Sequence, residues 1–419
     1  MNKTADKEGS GGAAGDASGG SAGSVSAGGS AGQGGTGAAG GSSAGDGGSS
    51  GSGSGGTTGG NGGSGASAGV GGAGGSSAGS GGAGGSGTGG TGGTGGTPND
   101  LTECETLVLQ SGWIASNSIP VQQCTTGGSM VSLYGLPSGD PKPLSVLATA
   151  LRPTGILSFA SNTHDNAARL DVDKNGDVGR AYGTRNFGWL SLSGAIYHTQ
   201  RGTPFNYASG WKAYHDTKFE PVTATRVNEV VVIQGMLETD DGTSAGAGAG
   251  LLTDLGTVPS GMEPDETRYF AVAGYSGNDR ASIVRVSSNG TVGVVGGPSP
   301  TYPYVMLSGI AYAQGARKTF TLASGYAAYA GSLIGYRIRD GMVYLHGRIQ
   351  LPSGTSAIGT AATLPSEAQP PFDVVTEAAA GGEHVRVDVK TNGEIYWQQY
   401  SNPSGERWIS LDGIHYPAK

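Results

Sequence analysis

The sequence predicts an all-β protein: three tandem β-sandwich or jelly-roll-like repeat domains behind a disordered, glycine-rich N-terminal segment. Three observations carry this prediction. One signature is written three times after residue 100. Composition breaks near residue 98, with more than half of the chain's 84 glycines before it and no aromatic residue before Trp113. Apolar and polar residues alternate with period two around Asn-Gly steps, and no helical period of useful length appears outside short pieces such as 140–152.

The N-terminal segment, 1–98, is Gly with Ser, Ala and Thr, and its first proline is Pro98. Such a composition buries too little apolar surface to offset the entropy of ordering it, so it reads as a flexible linker. The alternative is a packed polyglycine bundle; collagen is excluded, because glycine is irregular and proline absent. Only Val25 and Val70 are sizeable apolar residues after Met1, so the segment has no continuous apolar core for a signal peptide or a membrane span.

The repeats are expected at 101–199, 200–314 and 315–419, each a normal size for one domain. Each opens on a Ser-Gly-aromatic step: Gly112-Trp113, Gly210-Trp211 and Gly325-Tyr326. An apolar stretch ending in glycine follows, at 130–135, 230–235 and 342–347, then a proline segment. Next comes a hairpin expected at Asn175-Gly176, Asn289-Gly290 and Asn392-Gly393. Its alternation puts one strand face inside and one outside. The closing strand runs from Trp189, Tyr304 or Trp408 through Gly194, Gly309 or Gly413 to Tyr197, Tyr312 or Tyr416. Residues shared by all copies hold up the fold; residues of one copy are where specific function is expected. The matched aromatics are therefore read as core.

Net charge is −8 with no Lys/Arg cluster, which argues against nucleic acid and anionic membrane. No run reaches membrane-spanning length, so no membrane insertion is expected. Cys104 and Cys124, the only cysteines, sit in the first copy, so the shared fold needs no disulfide. They either bridge, in an oxidising setting, or stay as thiols.

No cofactor, metal or catalytic residue is expected. Asp171-Val-Asp173-Lys-Asn175-Gly176-Asp177 looks like the start of a calcium loop, but its twelfth position is Tyr182 and the other copies keep only Asn-Gly. The hairpin explains all three copies. The six histidines are scattered, and His198 and His415 beside closing tyrosines read as edge or interface residues. No acid recurs in all copies, which disfavours a two-carboxylate glycosidase. Candidate ligand contacts are aromatics of single copies, Tyr182, Phe187, Tyr302, Tyr396, Trp397 and Tyr400. The segment Tyr396-Trp397-Gln398-Gln399-Tyr400 leads, because it joins aromatic faces to amide groups, the chemistry of a glycan site.

The order of these parts, and above all Trp408-Ile409-Ser410-Leu411-Asp412-Gly413-Ile414-His415-Tyr416, resembles a β-rich module near the C-termini of tailed-phage tail fibres and minor tail proteins. The resemblance covers about 101–419, three times over. It implies a non-enzymatic appendage of a virion or extracellular particle that adheres to a cell-surface receptor, glycan or protein, as a homotrimer joined to other particle proteins through its N-terminus. The glycine-rich segment replaces a baseplate-attachment domain, which admits an injection-system relative or a bacterial surface adhesin. A purely structural fibre or decoration protein is the next reading, and a polysaccharide depolymerase the last.

Overall fold

The computed structural model describes residues 102–419 except 117, 141–142, 165, 183–187, 215–216, 241–252, 275–281, 297–303, 353–357, 382 and 399–406. The glycine-rich segment lies outside the described residues. Within them the protein is all-β: strands and three short 3-10 turns, with no α-helix.

Each copy builds a sandwich around two antiparallel sheets, and the first and second copies add a smaller sheet of two and three strands. In the first, the hairpin Gln122–Thr126/Met130–Tyr134 pairs with the closing strand Ala195–His198. The second copy repeats this with Thr223–Val227/Val230–Gln234 and Ile310–Ala313, the third with Gly335–Arg339/Met342–His346 and His415–Pro417. The opposite sheet holds the Asn-Gly hairpin: Leu157–Thr163, Asn166–Val172 and Asp177–Tyr182 in the first copy. In the third, this sheet extends to eight strands.

The shared residues have shared work. Gly176, Gly290 and Gly393 take φ of +89°, +84° and +87°. Their N–H groups donate to Asp173, Ser287 and Lys390, closing three-residue loops in which the glycine alone is left-handed. In the first copy the Asp173 carboxylate accepts the Asn175 and Asp177 N–H groups, so it serves the turn. The closing tyrosines bury their rings and donate their hydroxyls to the proline segment: Tyr197 to Leu151 O, Tyr312 to Met262 O and Tyr416 to Ala368 O. Each phenol thus staples the two sheets of its own sandwich.

The copies do not hang in a row; they close a ring. The equivalent strands Leu157–Thr163, Arg268–Val272 and Val374–Ala380 touch one another in all three pairings. Gly194 faces Thr376 of the third copy, Gly413 faces Phe270 of the second, and Gly309 faces Phe159 of the first. Phe159, Phe270 and Thr376 pair with Leu170, Val284 and Val387, each six residues before its Asn-Gly glycine, and so are one position of the repeat. One head-to-tail contact is therefore used three times and closes, the geometry of a cyclic trimer made within a single chain.

The ring decides what the sandwiches bury, and it corrects one sequence expectation. All five residues of Met130–Tyr134, Val230–Gln234 and Met342–His346 are buried. Val131 and Leu133 fill their own sandwich, whereas Met130 and Tyr134 join Val230, Val232, Met342 and Tyr344 in a cluster spanning all copies. Full burial of each such apolar side chain contributes roughly 1.5–3 kcal/mol. Trp189 and Trp408 are buried as expected, but in the seams between copies and not in a sandwich core. Trp189 packs on Val375, and Trp408 on Ile283 and Tyr269. Cys104 and Cys124 stand opposite each other across an antiparallel pair and are bridged.

Candidate functional site

The strand Glu394–Gln398 alternates strictly. Ile395 and Trp397 are buried and Tyr396 and Gln398 are half-buried on the opposite face. The expected ligand role of Trp397 is overturned: its ring is wholly buried and its indole N–H donates to Tyr326 Oη at 2.9 Å. A ring used this way has no face left for a ligand. Tyr396 and Gln398 are brought together on the outer face, but among charge pairs. Lys390 Nζ lies 4.4 Å from the Tyr396 ring and 3.0 Å from Glu394, and Arg386 holds Asp388 with two bonds of 2.7 Å. Burial pushes the Asp388 carboxyl above its usual range against the pull of Arg386. Tyr182 ends a strand of the first copy, on a different sheet from Tyr396. Tyr302, Tyr400, Phe187 and Gln399 lie outside the described residues.

The polar residues at the seams are absorbed by the ring. Arg268 of the second copy is almost wholly buried and lies 3.3 Å from Asp412 of the third and 2.5 Å from Asp265. Asp412 also accepts the N–H groups of Tyr269 and Gly347. Arg337 pairs with Asp265 across the same seam. Although burial pushes it up, these two guanidinium groups hold the Asp265 carboxyl below its usual range. At the other seams Ser191 Oγ donates to Val375 O, and Asn162 Nδ2 donates to Glu377, which His384 also contacts. His198 and Gln234 exchange two bonds between the first and second copies.

One site escaped the sequence reading. An open groove of about 520 Å³ crosses the third copy, lined by Gly325, Ala327, Tyr329, Gln350, Pro352 and Arg407. Its volume falls in the range of ligand pockets. Its floor is set by the pairing of Ala327 with Gln350 at the edge of the eight-stranded sheet. The matching pairs are Ile114 with Ser138 and Lys212 with Glu238. In the second copy that place is filled: Lys212 Nζ lies 3.6 Å from Glu238 and donates to Asp240 O. Alanine at 327 removes the filling side chain. Tyr329 is fixed by the Trp408 ring at 6.0 Å and by the Arg348 guanidinium at 4.9 Å, which also lies 4.2 Å from the Tyr269 ring of the second copy. Gln350 adds an amide, and Arg407 a guanidinium where the other copies have Gly188 and Pro303. The signal was in the repeat: the residue after the opening aromatic is large in two copies and small in one.

Compared with protein-family models, curated proteins and solved structures, the chain matches none.

Proposed function

We propose that this chain is a non-enzymatic adhesive appendage, of a phage or phage-like particle or of a bacterial surface, that presents a ring of three β-modules to a cell-surface glycan. The carrying observation is the closed head-to-tail ring, in which Gly194, Gly309 and Gly413 each face the next copy. A fibre tip built from the resembled module would be a homotrimer; here one chain supplies all three modules, and a single particle of one chain is expected. A rigid ring suits adhesion, because it holds a binding face in fixed geometry and leaves the long glycine-rich segment to act as a tether. The carboxylates at the seams support a non-enzymatic reading. Asp412, Asp265 and Glu377 are committed to guanidinium, backbone N–H, amide and imidazole partners in the seams.

The test is binding of the fluorescently labelled full chain to a panel of intact bacterial cells. Saturable binding to some strains, competed by their own surface polysaccharide, is the expected result. A folded chain that binds no strain would overturn the reading in favour of a purely structural appendage. That second reading draws on one observation: the closing tyrosines and the turn glycines common to all copies are buried and serve the fold.

A further inference from the structure

We infer that the groove of the third copy is a binding site for an acidic saccharide, one whose sugar ring carries a carboxylate. This rests on the adhesive reading and adds the site and the ligand class. Three features of the groove point the same way. Tyr329 is held by Trp408 and Arg348, so an aromatic wall stands ready at little ordering cost, and such a ring suits the apolar face of a sugar. Arg407 brings a planar, permanently charged fork to the rim, the group best matched to a carboxylate. Gln350 both donates and accepts, as sugar hydroxyls require. The floor of Gly325, Ala327 and Pro352 is small and shallow, which admits a ring lying flat and offers no deep apolar hole for a peptide side chain.

The internal repeat is the control. The first copy places Ile114, 68% exposed, at the position of Ala327, and has no arginine at the position of Arg407. The second places the Lys212–Glu238 pair there. The groove is thus a property of one copy on a scaffold common to three, and one chain presents one such site.

The experiment is calorimetric titration of the full chain with a galacturonic acid tetrasaccharide, its methyl ester and a tetraglutamate peptide. Two variants accompany it. Ala327→Lys restores the side chain of the second copy, and Arg407→Gln removes the charge; thermal unfolding of both is followed alongside, so that a loss of fold is told from a loss of binding. The expected result is binding of the acid about tenfold or more tighter than the ester, with a loss of about tenfold or more in each variant. Equal binding of acid and ester, no binding of the acid, tighter binding of the peptide, or binding indifferent to Ala327→Lys would each overturn the inference. The adhesive reading fails separately. Cell binding that survives Ala327→Lys keeps adhesion and removes the groove. Saccharide binding lost in that variant, from a chain that binds no cell, keeps the groove and removes adhesion.

Discussion

A Cβ on Gly309 would stand 3.0 Å from the carbonyl oxygen of Gly194, the residue that fills the same place in the first copy. Two glycines of one repeat signature thus meet where two copies join. Glycine is required here twice over. Its φ of +94° is left-handed, and the backbone it meets cannot move aside without moving a second copy.

Gly309→Ala is therefore expected to destabilise the chain by about 1–3 kcal/mol, from the strained φ together with the close approach. Gly210 supplies the comparison, since its φ is +86° but a Cβ there would meet nothing within 4 Å. Gly210→Ala should carry only the conformational part, about 1 kcal/mol. Denaturant unfolding of the full chain measures both. Equal losses would show that the seam tolerates the methyl group and that the ring is looser than drawn.

Removing Asp412 tests the seam between the second and third copies from its polar side. The second copy places Ser308 at this position, and its hydroxyl accepts the Gly235 N–H much as Asp412 accepts that of Gly347. Asp412 Oδ1 takes Arg268 as well as the Gly347 N–H, and its second oxygen accepts the Tyr269 N–H. Asp412→Ser should cost about 3–5 kcal/mol, because it leaves a buried guanidinium short of a partner. Adding Arg268→Leu, after Leu157 at the matching place in the first copy, should return most of that loss. A double variant no more stable than Asp412→Ser would mean that the pair is not the source of the cost.

Much of this architecture was legible and some was not, for reasons seen in particular residues. Asn-Gly and the closing tyrosines act within their own copy, so a local pattern finds them. The burial of Met130, Tyr134, Val232 and Tyr344 depends on copies about a hundred residues away, and their mixed polarity gives period-two reasoning nothing to hold. The ring was therefore invisible, although the repeat count was plain. Trp397 was a different miss. It stands two residues from Ile395, so period two already put it on the core face, with Tyr396 and Gln398 opposite. The groove could also have been found, by comparing Ile114, Lys212 and Ala327 across copies.

Trp397→Ala is expected to act on stability and not directly on binding. The ring is wholly buried beside Ile395 and Val387, and its N–H has a partner in Tyr326. Deleting such a ring costs roughly 3–5 kcal/mol through lost burial and the cavity left behind. Tyr396→Ala, on the outer face, should cost under about 1 kcal/mol. Unfolding midpoints of the two variants decide the point. A Trp397→Ala chain as stable as the parent would return that side chain to the surface and to the ligand.

The centre of the ring predicts an acid sensitivity. His415 is buried against the Tyr344 ring, stacked at 6.2 Å, and the edge of Tyr134 at 6.0 Å. Its Nδ1 bonds Gly413 O, while its Nε2 is buried without a partner. Burial pushes the imidazole down to about 4. The sign follows from comparing the two states. Above about pH 6.5 the ring is neutral folded and unfolded, and stability is complete. Between about 6.5 and 4 only the unfolded chain takes the proton, so stability falls as pH falls. Below about 4 the loss is complete, on the order of 3 kcal/mol from this group. Neither facing tyrosine is charged in this range, so nothing beside the ring offsets the proton. His346 and His198, also lowered chiefly by burial, add loss of the same sign. Asp265 and Glu266, held below their usual range, add theirs only below about pH 4. His415→Ile, after Ile196 at the same position of the first copy, should flatten the fall between pH 6.5 and 4 and leave the steeper loss below it. Denaturant unfolding at pH 7.5, 6, 5 and 4 gives the profile, and parallel profiles for parent and variant would show that the proton finds a partner in the folded ring.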